Sequence, residues 1–197
     1  MPDRTIPYFN LILRCDRFEQ PIIPIPDGYR IIRFHQGLQS AWAKLEADIG
    51  DFGSEAEAET YFAEKYLPYP DRLEQRALFL TDHTDRVIGS CIAWQDPREG
   101  RMVSSLHWLV INEAHQGKGL GRALFSETMR LFDSFPVYIH TQPWSWKAVL
   151  LYLSSGFKLQ MKDTFNGYEN QYKAGIEALK AVLTEDQMRY IAENTES

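Results

Sequence analysis

What this chain has little of narrows its possibilities before any motif is read. It holds two cysteines, Cys15 and Cys91, in 197 residues. Two thiols cannot build the disulfide framework of a small secreted domain, and no Cys/His cluster has zinc spacing. Cys91 sits in the apolar run Val87–Trp94 and reads as a buried thiol. Long hydrophobic stretches are missing as well. Nothing approaches the roughly 20 apolar residues that a membrane-spanning helix needs, and Met1-Pro2-Asp3-Arg4 leads into no signal-like segment. Cytoplasm is therefore the expected location, with no membrane partner. Basic charge is in deficit: 21 Lys and Arg against 27 Asp and Glu leave a formal charge of -6. That balance argues against nucleic-acid binding as the main activity. There is no internal repeat, no low-complexity tract and no composition shift that would mark a second domain. Charged residues at 24% and hydrophobic ones at 44% are ordinary globular values and exclude a disordered chain.

What is present centres on Gln116-Gly117-Lys118-Gly119-Leu120-Gly121. Upstream, Leu106 and Trp108-Leu109-Val110-Ile111 have the aromatic and β-branched character of a strand. Downstream, Leu120, Ala123, Leu124, Thr128 and Leu131 recur at three- and four-residue steps, one buried face of a helix. Glycines at the turn let backbone amides approach a ligand closely, and a helix N-terminus adds unpaired N–H groups and partial positive charge. Phosphate is the natural guest. A Walker loop needs Ser or Thr after the lysine, but Gly119 follows Lys118. A dinucleotide fingerprint begun at Gly117 needs glycine where Arg122 stands. Both readings fail, and Gln-x-x-Gly-x-Gly remains.

A second segment follows a short strand, Val137–Thr141: Ser145-x-x-Ala148-x-x-x-Tyr152-x-x-x-Gly156-Phe157. Ala148 and Tyr152 lie four apart and share a helix face, Gly156 suits a left-handed helix cap, and Phe157 opens the next strand. The first motif resembles the acyl-CoA pyrophosphate loop of the GCN5-related N-acetyltransferase (GNAT) superfamily. The second resembles that superfamily's Asn-x-x-Ala-x-x-x-Tyr-x-x-x-Gly-Phe segment, with Ser145 in place of the asparagine. The likeness is strong from about 103 to 157 and only architectural elsewhere.

The resemblance implies an α/β (α+β) GNAT fold: a central mixed, largely antiparallel sheet of about seven strands with helices on both faces. One domain is expected over 1–197, with an N-terminal extension over 1–27, a core over 28–173 and a C-terminal helical extension over 174–197. It implies acetyl-CoA as co-substrate without a metal, and transfer of acetyl to a primary amine of a small molecule or peptide, in a monomer or homodimer. Cofactor contacts carry over to Leu109, Val110 and Ile111 for the pantetheine arm. Gln116, Gly117, Lys118, Gly119, Leu120, Gly121 and Arg122 carry over for the pyrophosphate, and Ser145 and Ala148 for the second motif.

Two residues carry the chemistry that the resemblance implies. Tyr152 occupies the family's general-acid position. A phenol near pKa 10 facing a thiol near 8.5 makes full proton transfer uphill by about 1.5 units, roughly 2 kcal/mol. A strong hydrogen bond to the departing sulfur is the alternative. An alkylamine acceptor near pKa 10.4 is neutral in only about 1 molecule in 2,500 at pH 7, a cost of roughly 4.6 kcal/mol. His107 is the candidate base or water relay, in a segment similar to the arylalkylamine acetyltransferase branch. Ser105 stands where some histone-type members carry glutamate and cannot serve as base; Glu113 is a weaker candidate. Glu46, Asp48, Asp51, Glu55, Glu57, Glu59 and Glu64 load the region of the first two helices with acid, either to attract a cationic acceptor or as a solvated face. Tyr61, Phe62, Tyr66 and Tyr69 are possible apolar walls, with Pro143, Trp144 and Trp146. Two rivals stay open: a non-catalytic acyl-CoA sensor, and an interaction module with a structural glycine loop.

Among the other elements, strands are expected at Tyr8–Arg14, Tyr29–Phe34, Ala77–Thr81, Val87–Trp94 and Tyr168–Lys173. A capping box at Ser54 and Glu57 opens a helix that Pro68 and Pro70 end, and Asp96–Gly100 is a turn. Thr184 with Gln187 caps a last helix, after which Glu193–Ser197 frays.

Overall fold

The computed structural model describes residues 3–197; Met1 and Pro2, the start of the extension expected over 1–27, lie outside the described residues. In chain order the elements are β1 (Leu11–Cys15), β2 (Arg30–Arg33), α1 (Leu38–Asp48), α2 (Glu55–Lys65), α3 (Pro70–Arg76) and β3 (Ala77–Thr81). Then follow β4 (Val87–Arg98), β5 (Arg101–Ile111), α4 (Leu120–Met129), β6 (Val137–Thr141) and α5 (Trp146–Ser154). β7 (Lys158–Gln160), α6 (Tyr172–Lys180), α7 (Glu185–Glu193) and β8 (Thr195–Glu196) complete the chain. The strands form a mixed sheet in the hydrogen-bonded order β2-β3-β4-β5-β6-β1-β7-β8, accompanied by the seven helices. None of the described helices is long and apolar enough to cross a membrane.

Two compact units share β4 and β5 along the chain. The first, residues 21–94 and 106–132, holds β2 to β4 in antiparallel register, the second half of β5 and helices α1 to α4. Its core packs Trp42 and Ala43 of α1 and Ala58 and Phe62 of α2 against Ala77, Phe79, Ile92 and Trp94 of the sheet. The second unit, residues 3–20, 95–105 and 133–197, places β1 between β6 and β7, antiparallel to both. The start of β5 pairs in parallel with β6 through Ser104–Val137 and Ser105–Tyr138. Ile12, Val103, Tyr138 and Phe165 pack together on this unit's sheet.

Several boundaries differ from the sequence reading, each for a physical reason. Pro70 does not merely end α2; it starts α3 at the first helical position, where a missing N–H costs nothing. Asp96, Pro97 and Arg98 continue β4, and the reversal is confined to Glu99 and Gly100, both left-handed at φ 51° and 77°. Only half of the box at Ser54 forms: Ser54 Oγ accepts from the Glu57 amide at 3.2 Å, while the Glu57 carboxylate accepts from Gly53 instead. At Thr184 both halves of the box are present. Tyr168–Lys173 is not a strand; Phe165 bridges Tyr168, and α6 begins at Tyr172. The tail is held rather than frayed, because Thr195 and Glu196 pair in parallel with Leu159 and Gln160.

Glu46 leaves the acidic surface to which the sequence assigns it. Its side chain on α1 is fully buried, and neither carboxyl oxygen has a hydrogen-bond partner among the described residues. Burial, then the nearby Asp51 charge, pushes its pKa well above the ordinary 4.5, so the folded chain keeps the proton. Below the ordinary carboxyl range folded and unfolded chains are both protonated and Glu46 adds no pH dependence. As pH rises from there toward the raised folded value, only the unfolded chain ionises, and stability is lost through that window. Glu46→Gln should therefore match the wild type in urea melts near pH 4 and exceed it by about 1–3 kcal/mol at neutral pH. A gap between the two proteins that does not change with pH would contradict a buried neutral carboxyl.

Candidate active site

The glycine loop is shaped from its flanks inward. Asn112 accepts from the Ala114 amide at 3.1 Å and starts a single 3-10 turn, Glu113–His115. Gln116 is extended, and its side-chain amide donates back to the Ile111 carbonyl at 2.8 Å, tying the loop to the end of β5. Gly117 and Gly119 then adopt φ of 77° and 80°, the left-handed region that L side chains enter only at a cost. Gly119 caps α4 with no side-chain partner. The first intrahelical bond here runs from Ala123 N–H to the Gly119 carbonyl, so the amides of Leu120, Gly121 and Arg122 have no helical acceptor. Gln116 to Gly119 are exposed. The result is an outward-facing set of N–H groups at the positive end of a helix. Lys118 Nζ donates to the Tyr29 hydroxyl at 3.1 Å, and that hydroxyl lies 3.3 Å from His115 Nδ1.

Gly121 differs from its neighbours. It lies inside the first turn of α4 without positive φ, and a Cβ there would meet Ile111 Cγ1 at an ordinary 3.5 Å. The fold does not require glycine at this position.

Just upstream, β5 breaks its own alternation. Trp108 has φ 52°, an outlier for so bulky a residue. As a consequence His107 and Trp108, adjacent in sequence, reach one atom. The Tyr66 hydroxyl lies 2.7 Å from His107 Nδ1 and 2.9 Å from Trp108 Nε1. Across this break two-residue spacing, as between His107 and Leu109, no longer assigns side chains to one strand face. Ser90 Oγ on β4 donates to the Trp108 carbonyl at 3.3 Å. Around these groups stand the rings of Phe52, Tyr61 and Trp42, whose centroids lie 5.3, 5.4 and 5.5 Å from that of Trp108. Tyr66 was legible in the sequence only as an apolar wall. Nothing in local spacing signals that its hydroxyl meets residues more than forty positions away.

In the second unit, α5 starts at Trp146 after Ser145, whose side chain makes no cap bond and instead accepts from Gln142 Nε2 at 3.4 Å. Ala148 is half-buried, and Tyr152 is buried at 5% exposure with its ring 6.0 Å from that of Phe157. Phe157 N–H bonds the Tyr152 carbonyl and Gly156 N–H bonds that of Leu153, a Schellman ending with Gly156 at φ 96°. Ser105 is fully buried and donates to Asp96 Oδ2 at 2.7 Å, with Asp96 also fully buried. Trp144 lies under the Arg4 guanidinium at 3.9 Å.

A mixed sheet carrying a strand–glycine loop–helix unit, followed by a parallel strand and a second glycine-capped helix, defines the class: an α/β protein with the N-acetyltransferase arrangement. The acetyltransferase (GNAT) family model matches residues 41–157, more than half of the 197, and the chain belongs to that family. The fold is similar to that of a GCN5-related N-acetyltransferase from Sphaerobacter thermophilus, at TM-score 0.56 and 15% identity over 78% of this chain and 49% of that one. The chain thus spans about half the length of that protein. An aminoglycoside N-acetyltransferase in complex with CoA is similar at TM-score 0.54 and 13% identity, over 76% of this chain and 99% of that one. A diaminobutyrate acetyltransferase from Paenibacillus lautus, in complex with L-2,4-diaminobutyric acid and coenzyme A, is similar at TM-score 0.51 and 13% identity, over 64% and 73%. At these identities the likeness is one of fold. No curated protein matches the sequence.

If the α4 amides are a phosphate cradle, Gly121→Ala separates folding from binding. The added methyl should hold or raise thermal stability, since alanine exceeds glycine in a helix by roughly 0.5–1 kcal/mol. Calorimetric titration should show CoA affinity weakened about tenfold, or roughly 1.4 kcal/mol. Undiminished affinity would remove Gly121 from the cradle.

Proposed function

We propose that this chain is an acetyl-CoA-dependent N-acetyltransferase that transfers acetyl to a primary amine of a small molecule or peptide, by direct attack in a ternary complex. The observation that carries the reading is the loop itself. Gly117 and Gly119 are left-handed, exposed and placed at the N-terminus of a ten-residue helix, inside the segment that matches the family. Amides from Gln116 to Arg122 hold the pyrophosphate. Backbone groups of Leu109, Val110 and Ile111 align the pantetheine arm as an added strand, and Ser145 and Ala148 line the cofactor from the second motif. Main-chain groups suit this task because they hold a di-anion without depending on side-chain rotamers.

The amine must lose a proton before it attacks. Its lone pair then forms a C–N bond to the thioester carbon, the carbonyl electrons move onto oxygen, the attached nitrogen gives up a second proton to water, and collapse restores the carbonyl and breaks the C–S bond. Positioning two bound reactants supplies much of the rate without a covalent enzyme intermediate. Tyr152 meets the departing thiolate, donating a hydrogen bond or its proton. His107 serves the amine side, as base or through a water it holds. The Ser145 departure favours a second reading, a non-catalytic acyl-CoA sensor, because its hydroxyl is engaged with Gln142 rather than capping α5.

Thiol release from acetyl-CoA across a panel of primary amines tests the proposal, and CoA binding without turnover on any amine would favour the sensor. The protein's own thiols should not interfere. Cys15 and Cys91 are buried, and burial pushes them up to about 11 and about 12. Tyr152→Phe should lower kcat by about 10²-fold while acetyl-CoA affinity stays within about twofold. Equal losses in both would deny Tyr152 the acid's role.

A further inference from the structure

The turn that links β6 to α5 carries a side-chain amide that the second motif does not include. Gln142 is the first residue past β6, and Pro143 follows it. A residue before proline is held to extended backbone, and Gln142 has φ -144° and ψ 159°. The Ser145 amide donates to the Gln142 carbonyl at 3.0 Å, and the Asp3 amide donates to the Trp144 carbonyl at 2.8 Å. Main-chain bonds therefore fix the root of the Gln142 side chain.

That side chain reaches the place where the motif departs from its family. Gln142 Nε2 lies 3.4 Å from Ser145 Oγ, and Ser145 makes no cap bond to α5. A hydroxyl both donates and accepts, so the contact suits either face of the carboxamide. At this length it steers the amide without saturating it. The Gln142 side chain has no other hydrogen bond among the described residues, and the residue is half-buried. The strand before it also ends in a place suited to a ligand. Among the described residues the parallel ladder of β6 with β5 stops at Tyr138, while its antiparallel ladder with β1 runs on to Thr141. Carboxyl ends of strands, where neighbours part, are where open α/β sheets take their ligands.

We propose that Gln142 supplies the cofactor contact for which Ser145 lacks a carboxamide: its side-chain amide pairs with an amide of the pantetheine arm, and the Ser145 hydroxyl steers it there. This rests on the acyl-CoA reading of the glycine loop and holds for enzyme and sensor alike. Each amide of the pantetheine arm offers an N–H and a C=O. A carboxamide can meet both at once, whereas a hydroxyl has a single hydrogen to donate. Glutamine is longer than asparagine, which lets an amide rooted upstream of the motif reach across the turn to the head of α5.

Calorimetric titrations with CoA, and with ADP, which carries a diphosphate without the arm, test this. Gln142→Ala should weaken CoA binding about tenfold and leave ADP binding within about twofold. Gln142→Met keeps the length of the side chain without its amide and should give the same split, which secures the test against an alanine variant that folds poorly. Adding Ser145→Asn to Gln142→Ala returns a carboxamide to the motif and should bring CoA affinity back to within about threefold of wild type. No recovery would overturn the assignment of the two positions to one contact. Equal losses for CoA and ADP would make Gln142 a support of the fold and overturn the proposal. Failure of the wild type to bind CoA would defeat the acyl-CoA reading itself, whereas CoA binding that neither Gln142 variant alters defeats this inference alone.

Discussion

The left-handed backbone at Trp108 is the constraint around which the first unit's chemistry is arranged. A strand that kept its alternation would send His107 and Trp108 to opposite faces, and Tyr66 could reach only one of them. The break at φ 52° instead gathers both onto a single hydroxyl. It also fixes what must surround it. Ser90 Oγ donates to the Trp108 carbonyl, and the rings of Trp42, Phe52 and Tyr61 pack around the indole. Residues from α1, α2, β4 and β5 are thus committed to one local departure from ideal geometry. Strain persists where surrounding contacts over-determine it, as these contacts do at Trp108.

Three residues beyond the break, β5 ends at Ile111 and the main chain takes over from side chains. Gln116 turns its own amide back to the Ile111 carbonyl, Gly117 and Gly119 reverse the chain, and α4 begins. Binding built from amides depends on φ and ψ more than on residue identity. Such a site tolerates wide sequence drift provided the two left-handed positions keep glycine. The similar structures share this fold at 13–15% identity.

The same distinction governs what could be read from the sequence. Elements specified by local chemistry came through: β3 and β6 lie where β-branched and aromatic runs placed them, and the Thr184–Gln187 box opens α7. The ending at Gly156 followed from backbone rules alone. Features that depend on partners distant in sequence did not. Asp96 reads as a turn residue beside Pro97, yet it is strand because its carboxylate accepts a buried bond from Ser105. The polar tail reads as frayed, yet β7 offers it an edge to pair with. Pro70 is ambiguous between ending one helix and starting another, and only the N-terminal position of α3 resolves it.

The acid-rich stretch between the first two helices shows how far charge counting alone can mislead. Seven carboxylates in the sequence left two readings open, a field for a cationic acceptor or a solvated face, and several of them have structural duties. Glu46 is buried, with its pKa held well above the ordinary 4.5, and Lys44 bridges Asp48 at 3.0 Å and Glu55 at 3.7 Å. The Glu57 carboxylate accepts from the Gly53 amide at the start of α2. Exposed pairs of this kind contribute little to stability. What stands next to His107 in this unit is instead a hydroxyl, an indole and a set of partly exposed rings.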